Sequence, residues 1–138
     1  MSGKICVIDD DPAICNLLKT LLSNDGYEVM TINKPLFSDK ELVQFKPDLV
    51  VLDITMPWLT GDSIADILGY TFPTKPKVVF FSSKPLEELA ALAKEKEVDG
   101  FVSKSEGSKA LRLLLRVLLP SPQPPAAAGK GAGSRAGV

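Results

Sequence analysis

Three short, continuously apolar runs stand out along the chain, at residues 4–9 (KICVID), 48–53 (DLVVLD) and 77–81 (KVVFF). Runs of this length without polar alternation predict strands buried on both faces of a parallel sheet. Residues 27–32 (YEVMTI) and 99–102 (DGFV) carry weaker versions of the same pattern. Between these runs the apolar period lengthens to that of a helix. Ile14, Leu17, Leu18, Leu21 and Leu22 form an amphipathic stripe. Asp11 followed by Pro12 predicts its N-cap and first helical position, and Gly26 predicts its stop. Ile64, Ile67 and Leu68 mark another helix, Leu86, Leu89, Ala90 and Ala93 a third, and Leu111, Leu114, Leu115 and Leu118 the last. Residues 36–45 read as a short helix with an ambiguous period.

The resulting order is strand then helix, repeated about five times, which implies an α/β fold with a parallel sheet covered by helices on both faces. Right-handed crossovers leave few topologies, among them the doubly wound five-stranded order 2-1-3-4-5. The pattern stops at Pro120. Residues 120–138 are dominated by Pro, Ala and Gly, too poor in apolar side chains to offset the entropy of ordering, and they read as a disordered tail or linker. The expected organisation is one domain over residues 1–119 followed by that tail. Gly131-Ala132-Gly133 has no strand before it and is no dinucleotide fingerprint.

Composition narrows the chemistry. A length of 138 residues with 45% hydrophobic and 24% charged residues suits a single globular core. The net charge of −1 makes no electrostatic case for direct binding of nucleic acid or an anionic membrane. No apolar run is long enough to span a bilayer, and Met1-Ser2-Gly3-Lys4 leads straight into a strand pattern, so a cytoplasmic protein is expected. Cys6 and Cys15 lie in apolar patterns and read as buried thiols. The chain contains no histidine, which removes Ser-His-Asp and Cys-His nucleophiles, His-ligated zinc and a phosphohistidine of its own.

In a doubly wound sheet, sites form at the carboxyl ends of the strands. Asp9 and Asp10 stand at the end of the first strand, Asp53 at the third, Ser82 and Ser83 at the fourth, and Lys104 at the last. Each has a structural reading: Asp11 caps a helix, a loop lysine is usually solvated, and Ser82 could cap the next helix. Together they describe something more specific. Converging carboxylates repel unless a cation separates them. An all-oxygen donor set suits a hard ion such as Mg²⁺. A carboxylate beside a metal, an ammonium and a hydroxyl is suited to capturing a phosphoryl group as an aspartyl phosphate.

These residues resemble the receiver domain of two-component response regulators over residues 4 to about 119. The resemblance rests on ICVIDDDP, the helix leading into GYEV, DLVVLDITMP with Gly61, VVFFSS and GFVSKS, and on their order and separation. It implies a flavodoxin-like three-layer sandwich. By it, Asp53 is the phosphoacceptor, and Asp10, Asp53 and the backbone carbonyl of Thr55 are direct Mg²⁺ ligands, with Asp9 acting mainly through water. It also makes Ser82 the switch hydroxyl, Lys104 the residue that pairs with the phosphoryl group, and Phe101 the switch aromatic. Met56, Pro57 and Gly61 match the loop after the acceptor. The implied partners are a histidine kinase or phosphotransfer protein upstream and a protein target or an output domain downstream. Weak homodimerisation through the last two helices is also implied, where Leu113 and Val117 add apolar surface.

The chain departs from the family at Ser105, where a proline usually follows the lysine, often through a cis bond. A cis bond before a non-proline costs ~2.5–4 kcal/mol, so a trans peptide is expected. Ser82 replaces the commoner threonine. Thr55 and Lys84 occupy positions that tune how long the phosphoryl group lasts, and Trp58 reads as loop packing or a partner contact. The main alternative is a degenerate receiver that binds proteins independently of phosphate. A haloacid-dehalogenase-like phosphatase is less well supported, because Thr55 stands where such enzymes carry a second aspartate. The domain would phosphorylate and dephosphorylate itself but turn over no metabolite.

Overall fold

The apolar runs form β1 (Lys4–Ile8), β2 (Glu28–Ile32), β3 (Leu49–Leu52), β4 (Lys77–Ser82) and β5 (Gly100–Ser103). The helical stripes form α1 (Pro12–Asn24), α2 (Leu86–Glu95) and α3 (Gly107–Leu118), and a single 3-10 turn, Lys104–Glu106, joins β5 to α3. This computed structural model describes residues 3–33, 44–55 and 75–120. The helix expected around Ile64, Ile67 and Leu68 lies outside the described residues, as does the tail beyond Pro120. Of the segment 36–45, only residues 44 and 45 are described, and both are helical.

All neighbouring strands pair in parallel, in the order β2-β1-β3-β4-β5. This is the order 2-1-3-4-5 expected from the sequence. Successive residues of each strand face opposite sides, which splits the apolar runs between two cores. Cys6, Ile8, Val50, Leu52, Val78 and Phe80 meet Leu89 and Ala93 of α2 on one face. Ile5, Val7, Val51 and Val79 meet Leu18 and Leu22 of α1 and Leu111 and Leu115 of α3 on the other. Burial on both faces explains why these strands read as unbroken apolar runs.

The helix ends obey the expected chemistry. Asp11 is the N-cap of α1, its Oδ1 accepting the Ala13 N–H at 2.9 Å, with Pro12 in the first turn. At the other end Gly26 takes φ +99°. The Tyr27 N–H reaches Leu22 O at 3.1 Å and the Gly26 N–H reaches Ser23 O at 3.0 Å, the paired bonds of a Schellman stop. The buried stripe is narrower than the apolar one: Cys15, Leu18 and Leu22 are buried, whereas Leu17 is 47% exposed. A helix lying on one sheet face covers only part of its circumference. Leu86 likewise opens α2 exposed, one turn ahead of buried Leu89.

The ends of α1 and α3 are tied together. Asp25, 1% exposed, accepts from Arg112 Nε at 2.8 Å and Arg112 Nη2 at 2.6 Å. The Tyr27 hydroxyl donates to Leu119 O at 2.5 Å. These bonds tie α3 to the segment between α1 and β2.

Candidate functional site

Because β1 and β3 are neighbours with Ile8 opposite Leu52, the next residues along each strand, Asp9 and Asp53, emerge side by side. Both strands end one residue earlier than expected, at Ile8 and Leu52. The aspartate N–H groups still bond as a ladder would, Asp9 to Ile32 O at 3.0 Å and Asp53 to Ile8 O at 2.9 Å. Their side chains, however, are already engaged in turns. Asp9 Oδ1 accepts the Asp11 N–H at 2.9 Å, and Asp53 Oδ1 accepts the Thr55 N–H at 2.9 Å and the Thr55 hydroxyl at 2.5 Å. Such side-chain-to-backbone bonds two residues on are the usual way Asp starts a turn. They leave the second oxygen of each carboxylate directed elsewhere.

That second oxygen meets Lys104. Its ammonium lies 2.8 Å from Asp9 Oδ2 and 3.1 Å from Asp53 Oδ2. Lys104 comes just after β5, two strand spacings, or about 10 Å, from β3, so it reaches across the end of β4 to do this. Burial alone would lower its pKa, but the hydrogen bond to Asp9 and the charge of Asp53 overcome burial and hold it above the ordinary lysine value. For Asp9 the balance is opposite. Burial pushes its carboxyl up, the bonds from Lys104 and the Asp11 N–H recover only part, and the Asp53 charge adds to the rise. One oxygen from each of Asp9, Asp10 and Asp53 lies within 4.8 Å of the others, with Asp10 exposed and its two companions buried. Crowded carboxylates with one lysine between them still carry surplus negative charge. Their donors are all oxygen, and this fits a hard divalent cation such as Mg²⁺.

Ser82 and Phe101 belong to the next two strands, β4 and β5. Ser82 is buried at the end of β4, opposite Ser103, and its Oγ accepts the Lys84 N–H at 3.2 Å. Phe101 is 37% exposed on β5, opposite Phe80. Met56, Pro57, Trp58 and Gly61 lie outside the described residues. A cleft of about 410 Å³ separates the β4–α2 loop from the turn after β5, lined by Ser83, Lys84, Pro85, Leu86, Ser103, Ser105 and Glu106.

No cis peptide occurs among the described residues, so Lys104–Ser105 is trans, as expected. The turn that holds this bond was not anticipated. Ser103 Oγ accepts the Ser105 N–H at 3.2 Å, and Glu106 Oε2 accepts the Ser103 N–H at 3.1 Å, a reciprocal capping box. The signal was present as Ser103-Lys104-Ser105-Glu106, the S-x-x-E pattern of a helix start.

The family model described as response regulator receiver domain matches residues 5–116. Among curated proteins, the chain is 29% identical over 119 residues to the alkaline phosphatase synthesis transcriptional regulatory protein PhoP of Bacillus subtilis, covering 86% of this chain and 49% of that protein. It is 30% identical over 118 residues to the KDP operon transcriptional regulatory protein KdpE of Escherichia coli, covering 83% and 50%. The chain thus spans about half the length of these curated relatives. Among solved structures, the N-terminal domain of the nisin resistance regulator NsrR superposes with a TM-score of 0.73 at 30% identity, covering 86% of this chain and 99% of that one. The Vibrio cholerae chemotaxis protein CheY4 gives 0.72 at 20% identity over 86% and 100%, a likeness of fold. With the family match extending over most of the sheet, its helices and every carboxylate of the cluster, this chain belongs to the response regulator receiver domain family.

Proposed function

We propose that the chain is a phosphorylation-dependent signalling switch in which Asp53 accepts a phosphoryl group from a histidine kinase or phosphotransfer protein. The observation that carries this reading is the convergence of Asp9, Asp10, Asp53 and Lys104, drawn from three strand ends. In the transfer, an Asp53 carboxylate oxygen forms a bond to phosphorus as the phosphorus–nitrogen bond of the donor phosphohistidine breaks, and the departing imidazole takes a proton from solvent. Lys104 meets the negative charge that arrives on the phosphoryl oxygens.

Asp10, Asp53 and the Thr55 carbonyl are the direct ligands for Mg²⁺ in this reading, with Asp9 contributing mainly through water. The ion, when bound, supplies positive charge that offsets the phosphoryl oxygens against the carboxylates. The Ser82 hydroxyl, engaged by Lys84, and the half-exposed Phe101 ring are the groups that would move inward on phosphorylation. Their movement biases the surface of α2, β5 and α3 between two arrangements. That surface acts on a protein target or on an output domain, in the cytoplasm. Leu113 (58% exposed) and Val117 (76% exposed) are the apolar surface a second copy would cover on α3. Sedimentation showing only monomer at all concentrations, with and without phosphoryl, would remove the dimer.

The deciding experiment is intact-mass analysis after incubation with acetyl phosphate, for wild type with Mg²⁺, wild type in EDTA, and Asp53→Asn with Mg²⁺. The expected result is one base-labile phosphoryl adduct in the first sample alone. Wild type that stays unmodified with both acetyl phosphate and a phosphorylated histidine kinase would leave a phosphate-independent protein-binding module instead.

A further inference from the structure

Lys104 must deliver its ammonium across the end of β4 to two carboxylates, yet among the described residues its backbone lies beyond the last paired position of the sheet. Among the described residues β5 is the edge strand, paired with β4, and its ladder ends at Ser103 opposite Ser82. Beyond that pair the chain makes the single 3-10 turn Lys104–Glu106, and Gly107 leaves it at φ +86°, ψ 173°. That region is open essentially to glycine alone, and it lets α3 begin at once. The turn is closed across Lys104 rather than by it. Glu106 Oε2 takes the Ser103 N–H at 3.1 Å, Ser103 Oγ takes the Ser105 N–H at 3.2 Å, and the hydroxyls of Ser103 and Ser105 are 2.7 Å apart. Lys104 is the residue of this turn whose side chain enters the cluster, with 2.8 and 3.1 Å contacts at its tip.

We propose that Ser103 and Glu106 are positioning residues for Lys104, the capping box holding the backbone from which its ammonium reaches Asp9 and Asp53. The inference rests on the phosphoacceptor reading and adds to it a pair of residues that never touch the phosphoryl group. A lysine stem has four rotatable bonds and gives up much rotamer freedom to be held in one place. With the box closed, only the stem remains to be ordered. With it open, the turn is free to tilt with the edge strand, and the tip moves by a length comparable with the bond it must make.

The test is the rate of Asp53 phosphorylation by acetyl phosphate at saturating Mg²⁺. Glu106→Ala and Ser103→Ala should each slow it by about tenfold, inside the hundredfold that a 1 Å misplacement can cost. Glu106→Gln keeps a carbonyl oxygen for the Ser103 N–H, and Ser103→Thr keeps the hydroxyl, so each should restore most of the rate. In a Lys104→Ala background, Glu106→Ala should slow the reaction no further, because its effect passes through that lysine. Should Glu106→Ala fail to fold, the comparison of Ser103→Ala with Ser103→Thr carries the same question. Equal rates for wild type and both alanine variants would overturn the proposal. So would slowing by Glu106→Ala that multiplies with that of Lys104→Ala. A wild type that forms no adduct with either acetyl phosphate or a phosphorylated histidine kinase overturns the phosphoacceptor reading itself.

Discussion

Lys104 is bonded more closely to Asp9, at 2.8 Å, than to Asp53, at 3.1 Å. The lysine is therefore as much a counter-charge for the acidic cluster as a partner for the proposed acceptor, and removing it strands two buried carboxylates. Breaking a buried pair by deleting one member typically costs about 3–5 kcal/mol; the partial exposure of the Lys104 side chain places this case toward the lower end. Lys104→Ala should lower the urea midpoint in EDTA, and Mg²⁺ should restore more stability to the variant than it adds to wild type. An EDTA midpoint equal to that of wild type would show that the cluster carries no uncompensated charge.

Asp9 makes the pH dependence specific. Burial first, then the Asp53 charge, raise its carboxyl above the usual value of 3.8 despite the bonds from Lys104 and Asp11. A folded pKa above the unfolded one contributes stability that is complete below pH 3.8 and is lost as pH rises through the folded value. Ionised Asp9 thus opposes folding at neutral pH. In EDTA, Asp9→Asn should melt higher than wild type near neutrality, and the gap should close as pH falls towards 3.8. A variant that melts lower at every pH contradicts this.

Far from the cluster, Asp25 is buried and held by two nitrogens of Arg112, with Arg116 Nη2 at 3.7 Å. Arg112→Ala leaves that charge with one distant partner and should cost about 3–5 kcal/mol in urea unfolding. The double variant Asp25→Asn with Arg112→Leu should recover much of the loss, since no buried charge remains. Additive losses in the double variant would mean that the two residues act separately.

The two cysteines predict an alkaline limit. Burial, with a contribution from Cys15, pushes the Cys6 thiol from 9.0 up to about 12, and burial pushes Cys15 up to about 11. Both thiols stay neutral in the folded protein where they would ionise in the unfolded chain. The stability they contribute is full below pH 9.0 and is lost as pH rises through about 11 and then about 12. The native protein should resist iodoacetamide at about pH 8, just below the ordinary thiol pKa, and react fully in urea. Fast labelling of either thiol without denaturant would show that the cores open readily.

Much of the fold was legible because the relevant physics is local. An apolar run such as Leu49–Leu52 marks a strand buried on both faces, and Asp11 with Pro12 and Gly26 marks the limits of α1 through backbone preferences of single residues. Asp9, Asp53 and Lys104 could be picked out because the fold class alone sends strand ends to one edge. Periodicity was less informative about how much of a stripe is covered. Leu17 fits the apolar pattern of α1 as well as Leu18 does, but only contact with the sheet decides that Leu18 is buried and Leu17 is not.

Residue types and their spacing determined the α/β alternation, the strand cores, the helix ends and the acidic, lysine-bearing set at the carboxyl edge. Tertiary structure alone decided that Lys104 bridges Asp9 and Asp53, that Arg112 closes on Asp25 87 residues away, and that Ser103 and Glu106 fold back around the lysine. The division has a physical cause. Backbone preference and burial of a face act within a few residues and leave a periodic trace, whereas a hydrogen bond between distant side chains depends on distances of a fraction of an ångström that exist only once the sheet has closed.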